Sequence, residues 1–244
     1  MDAYGPETYG DRIAEVYDDL YEEMFDKEGA VSFLSERARG GRALELGIGT
    51  GRLAIPLAQA GIEVQGIDAS AAMVEKMRAK PGGDDIPVVM GDFADVPVEG
   101  AYKVVFVAFN TLFALASQED QLRCFRNVAD HLDEDGLFVV EAFVPDVTRF
   151  ARHQNVDATD VGSDRARIDV TRHDPVTQTS RTQHIMITPE GTKMYPVMVR
   201  YAYPPEMDLM ARLAGLLLKE RHENWRRAPF TADSQGHVSV YGRL

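Results

Sequence analysis

Two hydrophobic patterns follow one another along the chain, and the change falls near residue 146. Before it, short continuous apolar runs alternate with segments of helical spacing, which is typical of parallel strands separated by helices. These runs predict strands at 42–46, 63–67, 87–90, 102–108 and 137–141. After it, polar and apolar residues alternate, which predicts antiparallel strands at 165–173, 179–188 and 194–203. The overall pattern predicts an α/β protein with a small antiparallel β insert.

The spacing of apolar residues also places the helices. Helices are predicted at 52–59, from about residue 70, at 118–132 and at 206–214, and the chain closes with strands at 216–225 and 237–244. Residues 133–136 are predicted to form a turn. The segment from 13 to 34 is helical in character with a break near Gly29, and one face carries Ile13, Val16, Tyr17, Leu20, Tyr21 and Met24.

Composition narrows the possible functions. The 244 residues carry a formal net charge of −13, which would repel a phosphate backbone, so no nucleic acid partner is expected. The single cysteine, Cys124, permits no disulfide framework and lies in a helical pattern typical of a core residue. No secretory signal or apolar membrane span is recognised, so a cytoplasmic protein with no membrane partner is expected. Scattered histidines and one cysteine predict no metal site.

A glycine-rich turn follows the first predicted strand. Residues 43–51 read Ala-Leu-Glu-Leu-Gly-Ile-Gly-Thr-Gly, with glycines at 47, 49 and 51. Dinucleotide-binding proteins carry Gly-x-Gly-x-x-Gly, and here Arg52 stands where their third glycine would fall. Asp68 ends the second strand at the distance where a carboxylate grips ribose hydroxyls. Its alternative role is to cap the helix that begins near Ser70.

A third element, Gly91-Asp92-Phe93, follows the third strand, although Gly-Asp is also common in ordinary turns. The three elements together resemble class I S-adenosylmethionine-dependent methyltransferases. The resemblance implies a Rossmann-like seven-stranded sheet with the last strand antiparallel, S-adenosyl-L-methionine as cofactor and S-adenosyl-L-homocysteine as product. It implies that Glu45 braces the loop and that Asp92 accepts a hydrogen bond from the adenine amine. The implied cofactor-binding residues are Tyr9, Tyr17, Glu45, Gly47, Ile48, Gly49, Gly51, Asp68, Ala69, Met73, Gly91, Asp92, Phe93 and Phe109.

The amino-terminal segment and the insert are similar to those of sugar N-methyltransferases from antibiotic pathways. In that group tyrosines of a Tyr-Asp-x-x-Tyr sequence reach the cofactor, which implies that Tyr9, Tyr17 and Tyr21 line the pocket. The alternative is an aromatic stripe facing the core. The resulting division is a helical lid at 1–40, a cofactor-binding core at 41–145 and 204–244, and an insert over the substrate pocket at 146–203.

The expected reaction is methyl transfer to an N or O atom of a small molecule, such as a secondary metabolite or a sugar, by a monomer or homodimer. Candidate substrate residues are Tyr21, Asn110, Phe113 and Glu141, and candidate catalytic residues are Glu141, His184 and Tyr21. Asn110 could instead cap a turn, Glu141 could pair with an arginine, and His184 could be a surface residue. Two alternatives stay open: an NAD(P)-dependent oxidoreductase and a non-catalytic S-adenosylmethionine-binding protein.

Overall fold

The computed structural model describes residues 4–21 and 25–244 of the chain. A seven-stranded sheet forms its centre. Its strands are β1 (Arg42–Leu46), β2 (Glu63–Asp68), β3 (Val88–Met90), β4 (Tyr102–Val107), β5 (Leu132–Phe143), β10 (Leu216–His222) and β11 (Gly236–Arg243). They are paired in the order β10-β11-β5-β4-β1-β2-β3. β11 runs antiparallel to the other six strands of this sheet. The predicted Rossmann-like sheet with its last strand antiparallel is therefore confirmed.

Helices connect the strands and cover both faces of the sheet. They are α1 (Thr8–Ile13), α2 (Tyr17–Tyr21), α3 (Lys27–Ala38), α4 (Ala54–Gln59), α5 (Ala71–Arg78), α6 (Gln118–Asp130) and α7 (Pro204–Leu213). Two buried clusters lie on opposite faces of the sheet, and Cys124 is fully buried in one of them, as predicted. Among the described residues, no helix is long and apolar enough to cross a membrane.

The predicted helix break near Gly29 is wrong. The break comes earlier, because Asp26 caps α3 by accepting the Gly29 backbone N–H at 3.0 Å, so Gly29 belongs to the first turn of that helix. A further turn separates α1 from α2 at residues 14–16. The predicted contact of Met24 lies outside the described residues.

Strand β5 begins five residues earlier than predicted. The acidic stretch at 133–136, predicted as a turn, continues the strand, with an irregularity in its pairing to β4 after Tyr102. Leu132 pairs with Tyr102, and regular pairing resumes where Leu137 meets Val104. The predicted turn is therefore wrong, because a bulge of charged residues on an otherwise buried strand has the sequence pattern of a turn.

The insert has four strands rather than three. Its sheet is β6 (Gln154–Val161), β7 (Ala166–Asp174), β8 (Thr179–Thr188) and β9 (Gly191–Arg200), paired antiparallel in that order. The missing strand, β6, has few apolar residues, and Val156 and Val161 are both exposed. Because β6 buries little side-chain surface, it lacks the alternation that identified the other three strands.

One small cluster joins the insert to the rest of the chain. Ile13 and Tyr21 from the amino-terminal segment pack with Met73 of α5 and Tyr195 of β9. The backbone N–H of Met198 on β9 also donates to the Tyr4 hydroxyl at 3.1 Å. The amino-terminal segment thus lies between the insert and the carboxyl-terminal edge of the main sheet.

Candidate functional site

A cavity of about 1140 Å³ lies between the carboxyl ends of the parallel strands, the amino-terminal segment and the insert. This is where open α/β sheets bind ligands. Most of the residues predicted from the sequence line it. They are Tyr9, Tyr17, Tyr21, Gly47, Gly49, Asp68, Ala69, Met73, Asp92, Phe93, Phe109, Asn110, Glu141 and His184.

Five predicted residues lie off the cavity wall. Glu45, Ile48, Gly51 and Gly91 support it from behind or beside, and Phe113 is fully buried in the core. The Phe113 ring packs edge-on against Phe143 at 4.9 Å between ring centres, and Phe143 lines the cavity. Phe143, rather than Phe113, therefore lies on the cavity wall.

The glycine loop takes a backbone conformation that other residues rarely adopt. Gly47, Gly49 and Gly51 all have positive φ, at 73°, 55° and 74°. A Cβ at Gly47 would lie 2.5 Å from Thr111 and one at Gly51 would lie 2.5 Å from Met77, whereas one at Gly49 would meet nothing nearer than 4.0 Å. Gly47 and Gly51 are thus required by packing, and Gly49 leaves backbone open to the cavity.

Asp68 connects the loop to the next helix. Its Oδ2 accepts the Gly49 N–H at 2.7 Å, and its Oδ1 accepts the Ser70 N–H at 2.8 Å. Burial raises the pKa of the carboxyl, against the effect of these N–H donors. Ser70 is the residue that caps α5, through the Met73 N–H at 3.2 Å, so the capping alternative applies to Ser70 and not to Asp68.

Glu45 lies behind the loop. The side chain is buried and accepts the backbone N–H of Ala54 at the start of α4, while its Oε2 has no partner among the described residues. Burial and the nearby Asp68 carboxylate raise the pKa of Glu45 well above its ordinary value. The predicted bracing position agrees with this geometry.

The amino-terminal segment is held down by acidic side chains. Asp18 accepts the Thr50 hydroxyl at 2.6 Å and pairs with Lys80 at 2.6 Å. Asp11 accepts the Ser70 hydroxyl at 2.6 Å. We call these contacts the acidic latch. Sequence reasoning noted the acidic character of the segment but missed the latch, because its partners lie about 32 to 62 positions further along the chain.

A chain of aromatic rings crosses the cavity from the amino-terminal segment to the end of the sheet. Ring centres are 5.0 Å apart from Tyr17 to Tyr21, 5.2 Å from Tyr21 to Phe109, 5.7 Å from Phe109 to Phe25, and 6.5 Å from Phe25 to Trp225. Each pair is tilted or edge-to-face, as aromatic pairs prefer. These five rings form the aromatic wall.

Arg52 lies against this wall. Its guanidinium carbon is 4.9 Å from the ring centres of Tyr17 and Phe109 and 5.6 Å from that of Phe25. Cation–π contacts of this kind fix ring positions. Arg52 stands where dinucleotide-binding proteins have their third glycine, and here it contacts three rings of the site.

Glu141 stands at the end of β5, beside the aromatic wall. Its Oε2 accepts the Phe109 backbone N–H at 2.7 Å, and its Oε1 accepts the indole N–H of Trp225 at 2.8 Å. Burial raises the pKa of Glu141 to about 7, although both hydrogen bonds and the Arg52 charge act in the opposite direction. Asn110 accepts the Phe143 N–H at 2.6 Å through its side chain and makes no side-chain cap to the turn that follows.

The insert contributes a polar cluster to the opposite wall. The His184 Nδ1 lies 2.7 Å from an Asp169 carboxylate oxygen and 2.9 Å from Arg167 Nη2, and Arg167 also bonds Asp169. Burial opposes ionisation of Asp169, but hydrogen bonds from His184 and Arg167 lower its pKa. His184 is thus oriented by a carboxylate across neighbouring strands.

Sequence reasoning missed several residues of the wall, among them Trp225, Arg167 and His237. Each lies on the cavity wall in the structure. A lone tryptophan, arginine or histidine in a polar stretch carries no spacing signal, so only the folded contacts reveal its position.

Comparison with known proteins agrees with this architecture. A family described as "Methyltransferase domain" matches residues 43–136. The cypemycin N-terminal methyltransferase of a Streptomyces species is 30% identical over 247 residues, covering 98% of this chain and 98% of that protein. The solved structure of the CcbJ methyltransferase from Streptomyces caelestis is 40% identical, with a TM-score of 0.93 over 99% of this chain and 100% of that one.

A more distant structure shows the same fold. The sugar N-methyltransferase KedS8 from Streptoalloteichus is 20% identical with a TM-score of 0.69, and the alignment covers 100% of this chain and 99% of that one. The relatives of high coverage include the insert as well as the core, so the match extends beyond the cofactor-binding half. The chain belongs to the class I S-adenosylmethionine-dependent methyltransferases.

Proposed function

We propose that this enzyme transfers a methyl group to an amine nitrogen of a small molecule of secondary metabolism. The observation that carries the proposal is the position of Glu141. Its carboxyl group lies on the cavity wall and is bonded to the backbone of Phe109, at the end of the strand next to the glycine loop. A proton acceptor therefore lies next to the place where the cofactor is expected.

The residues at the other end of the cavity fit the cofactor. Gly49 leaves open space above its backbone, and Asp68 faces the same space with a carboxylate suited to a ribose diol. Asp92 and Phe93 line the wall beyond them, where the adenine would lie. When bound there, S-adenosylmethionine supplies a sulfonium methyl that is already activated for transfer. The chain itself contributes orientation, exclusion of water and movement of a proton.

Glu141 suits the proton movement that an amine acceptor requires. An ammonium group has no free lone pair, so it must lose a proton before its nitrogen can attack a methyl group. A carboxylate with a pKa near 7 can take that proton close to neutral pH. Among the described residues, Glu141 forms no ion pair, so its charge remains available to a cationic ligand.

The aromatic wall also favours cationic ligands, because the faces of aromatic rings attract ammonium and sulfonium groups. Cages of aromatic rings recognise quaternary and methylated amines. Tyr21, Phe109 and Trp225 all line the cavity beside Glu141. Of the similar proteins, one is named an N-terminal methyltransferase and another a sugar N-methyltransferase.

A small acceptor fits the enclosure better than a macromolecule. The insert and the amino-terminal segment both line the cavity and lie over the end of the sheet. The net charge of −13 opposes binding of a nucleic acid backbone. We therefore expect the acceptor to enter as a free small molecule.

The test is methyl transfer from S-adenosylmethionine to a panel of small amines and a matched panel of alcohols, with products detected by mass. We expect N-methylated products only, and Glu141→Gln to lower kcat/KM at least about a hundredfold, the scale of a general base. Products from alcohols alone would contradict the proposal.

The glutamine variant needs a matched control, because both carboxylate oxygens of Glu141 accept N–H donors. An amide nitrogen would face either Trp225 or the Phe109 backbone. Trp225→Phe removes one of these donors, so the double variant Glu141→Gln with Trp225→Phe accommodates the amide. If the double variant recovers the activity of Trp225→Phe alone, Glu141 is a structural residue and not the base.

A second candidate is transfer to a hydroxyl oxygen. It is favoured by the His184–Asp169 contact of 2.7 Å, because a carboxylate-oriented histidine on the cavity wall resembles a base for a weakly acidic acceptor. In that case His184→Gln would abolish alcohol methylation and Glu141→Gln would not. The two candidates are thus separated by which variant loses which product.

A further inference from the structure

His237 is a fully buried side chain that lines the cavity with one ring nitrogen unpartnered. Its exposure is 0%, and its Nε2 has no hydrogen-bond partner among the described residues. It lies on β11 opposite Ala142 of β5, while Val238 lies opposite Glu141. Because neighbouring strand residues point to opposite faces, His237 and Glu141 approach the cavity from the two faces of the sheet.

The other ring nitrogen is held from behind. His237 Nδ1 lies 2.8 Å from the Ser239 hydroxyl, and that hydroxyl accepts the Arg221 Nε–H at 2.8 Å. Arg221 is in turn fixed by Asp208 of α7, at 2.6 and 3.2 Å. Ser239, Arg221 and Asp208 therefore set the position of the imidazole.

This arrangement also selects the tautomer. The Arg221 cation donates to one lone pair of the Ser239 oxygen, so the second lone pair and the hydroxyl proton both remain available to Nδ1. The positive charge of Arg221 decides between them, because it favours a lone pair rather than a proton on the nearer ring nitrogen, Nδ1. Burial and Arg221 also lower the pKa of His237 to about 4, so the ring is neutral at neutral pH. Nε2 therefore carries the proton and is a hydrogen-bond donor.

We propose that His237 is a substrate-binding residue whose Nε2–H donates a hydrogen bond to an oxygen atom of the methyl acceptor. That oxygen belongs to a hydroxyl, ether or carbonyl group. This inference rests on the proposed function, since it places the acceptor at the β5–β11 end of the cavity. A buried donor without an acceptor is unfavourable, so a ligand that supplies the oxygen is selected over one that lacks it. His237 would thus discriminate between acceptors through an oxygen that lies away from the atom receiving the methyl group.

The tautomer can be tested without any ligand. In protein labelled with 15N-histidine, long-range proton–nitrogen correlation distinguishes a protonated Nε2 from a protonated Nδ1, and His237→Phe assigns the signal among the six histidines. We expect a neutral ring protonated at Nε2 between pH 6 and 8, and Ser239→Ala to mix the two tautomers. A ring protonated at Nδ1, or a charged ring, would overturn the proposal.

The contact is tested with two probe amines on protein saturated with S-adenosylhomocysteine. D-glucosamine carries hydroxyl groups around its amine, and cyclohexylamine is a ring amine without them. We expect D-glucosamine to move the Nε2 signal of His237 and cyclohexylamine to leave it in place. The reference is His131, which lies off the cavity wall and whose ring nitrogens already contact the Asn127 and Val98 carbonyls.

Affinity provides the second readout. His237→Phe should weaken D-glucosamine binding about tenfold, the size of one lost hydrogen bond, and change cyclohexylamine and S-adenosylhomocysteine binding less than twofold. An Nε2 signal that D-glucosamine does not move would mean that a buried water is its only partner. That result, or an equal loss of both amines in the variant, would refute the proposal. Neither readout depends on turnover, so failure of methyl transfer to any amine is a separate outcome.

Discussion

The Asp68 carboxylate accepts the backbone N–H of Gly49 at 2.7 Å, and this bond ties the end of one strand to the loop that follows its neighbour. The Asp68 side chain also lines the cavity. Asp68 therefore helps to hold the glycine loop in its positive-φ conformation, and under the proposed function it would also offer acceptors to a ligand diol.

Replacing Asp68 should weaken cofactor binding while the fold survives. Asp68→Ala removes a charged hydrogen-bond acceptor, so we expect a loss of roughly 1.5–3 kcal/mol in the binding of S-adenosylhomocysteine, measured by calorimetric titration. Glu63→Ala, an exposed acid on the same strand, is the control and should bind normally. Unchanged affinity in Asp68→Ala would rule out the ribose assignment.

Gly49 and Gly61 form a matched pair for testing the loop. Both have positive φ and room for a Cβ, but only Gly49 faces the cavity. Gly49→Val should abolish cofactor binding, and Gly61→Val should lower the melting temperature without changing affinity, because backbone strain is common to both variants. If both variants bind the cofactor equally well, the loop is not its cradle.

The acidic latch should tune how tightly the amino-terminal segment closes on the cofactor. The Asp18–Lys80 pair is partly exposed, with 43% and 35% of each side chain accessible, so its contribution is that of a surface pair. We expect Asp18→Ala to raise the dissociation constant of S-adenosylhomocysteine about two- to fivefold and to make it less sensitive to salt. Asp95→Ala removes a comparable surface pair away from the cavity and is the control.

Trp225 should control the protonation of Glu141. Its indole N–H donates to the carboxylate, which favours the charged form, so Trp225→Phe should raise the pKa of Glu141 further above about 7. Since the base acts in its deprotonated form, the acidic limb of the kcat/KM profile should move to higher pH. Phe25→Leu, which alters the aromatic wall but not this bond, should leave that limb in place; a shift in both variants would point to packing instead.

The burial of Glu45 should appear in the pH dependence of stability. Its folded-state pKa is raised, so above pH 4.5 the folded protein binds a proton that the unfolded chain has released. The free energy of unfolding should therefore fall as pH rises from 4.5 towards the folded-state pKa. Glu45→Gln lacks this titration, so its melting temperature relative to wild type should increase over that range. A difference in melting temperature between Glu45→Gln and wild type that does not vary with pH would contradict the raised pKa of Glu45. Glu63→Gln, at an exposed position, is the control and should show no such trend.

The sequence predicted the cofactor end of the site better than the acceptor end. β1 has the predicted bounds, and Gly49, Asp68 and Asp92 meet because the carboxyl ends of adjacent parallel strands share one edge. Local signals are sufficient there. Phe113 and Phe143 show the limit, because the sequence cannot tell which of two rings in edge-on contact faces the cavity.

The acceptor end depends on contacts between distant parts of the chain. Trp225 bonds Glu141 across 84 positions, and the orientation of His237 depends on a serine, an arginine and a helix residue on three different elements. β6 was missed because it is polar and exposed on the edge of the insert. Such features follow from tertiary packing and have no local pattern from which they could be predicted.

The insert forms its own four-stranded sheet, with no strand shared with the seven-stranded one. Its strand-to-strand hydrogen bonds are therefore made within the insert, and it supplies the Arg167–Asp169–His184 wall without contributing to the glycine loop or Asp68. Under the proposed function, substitutions in this wall would alter the acceptor side of the cavity and leave the glycine loop and Asp68 in place. The architecture thus allows new acceptors to be acquired by drift in one separable unit, and the same unit is the natural target for exchange between enzymes when altered selectivity is wanted.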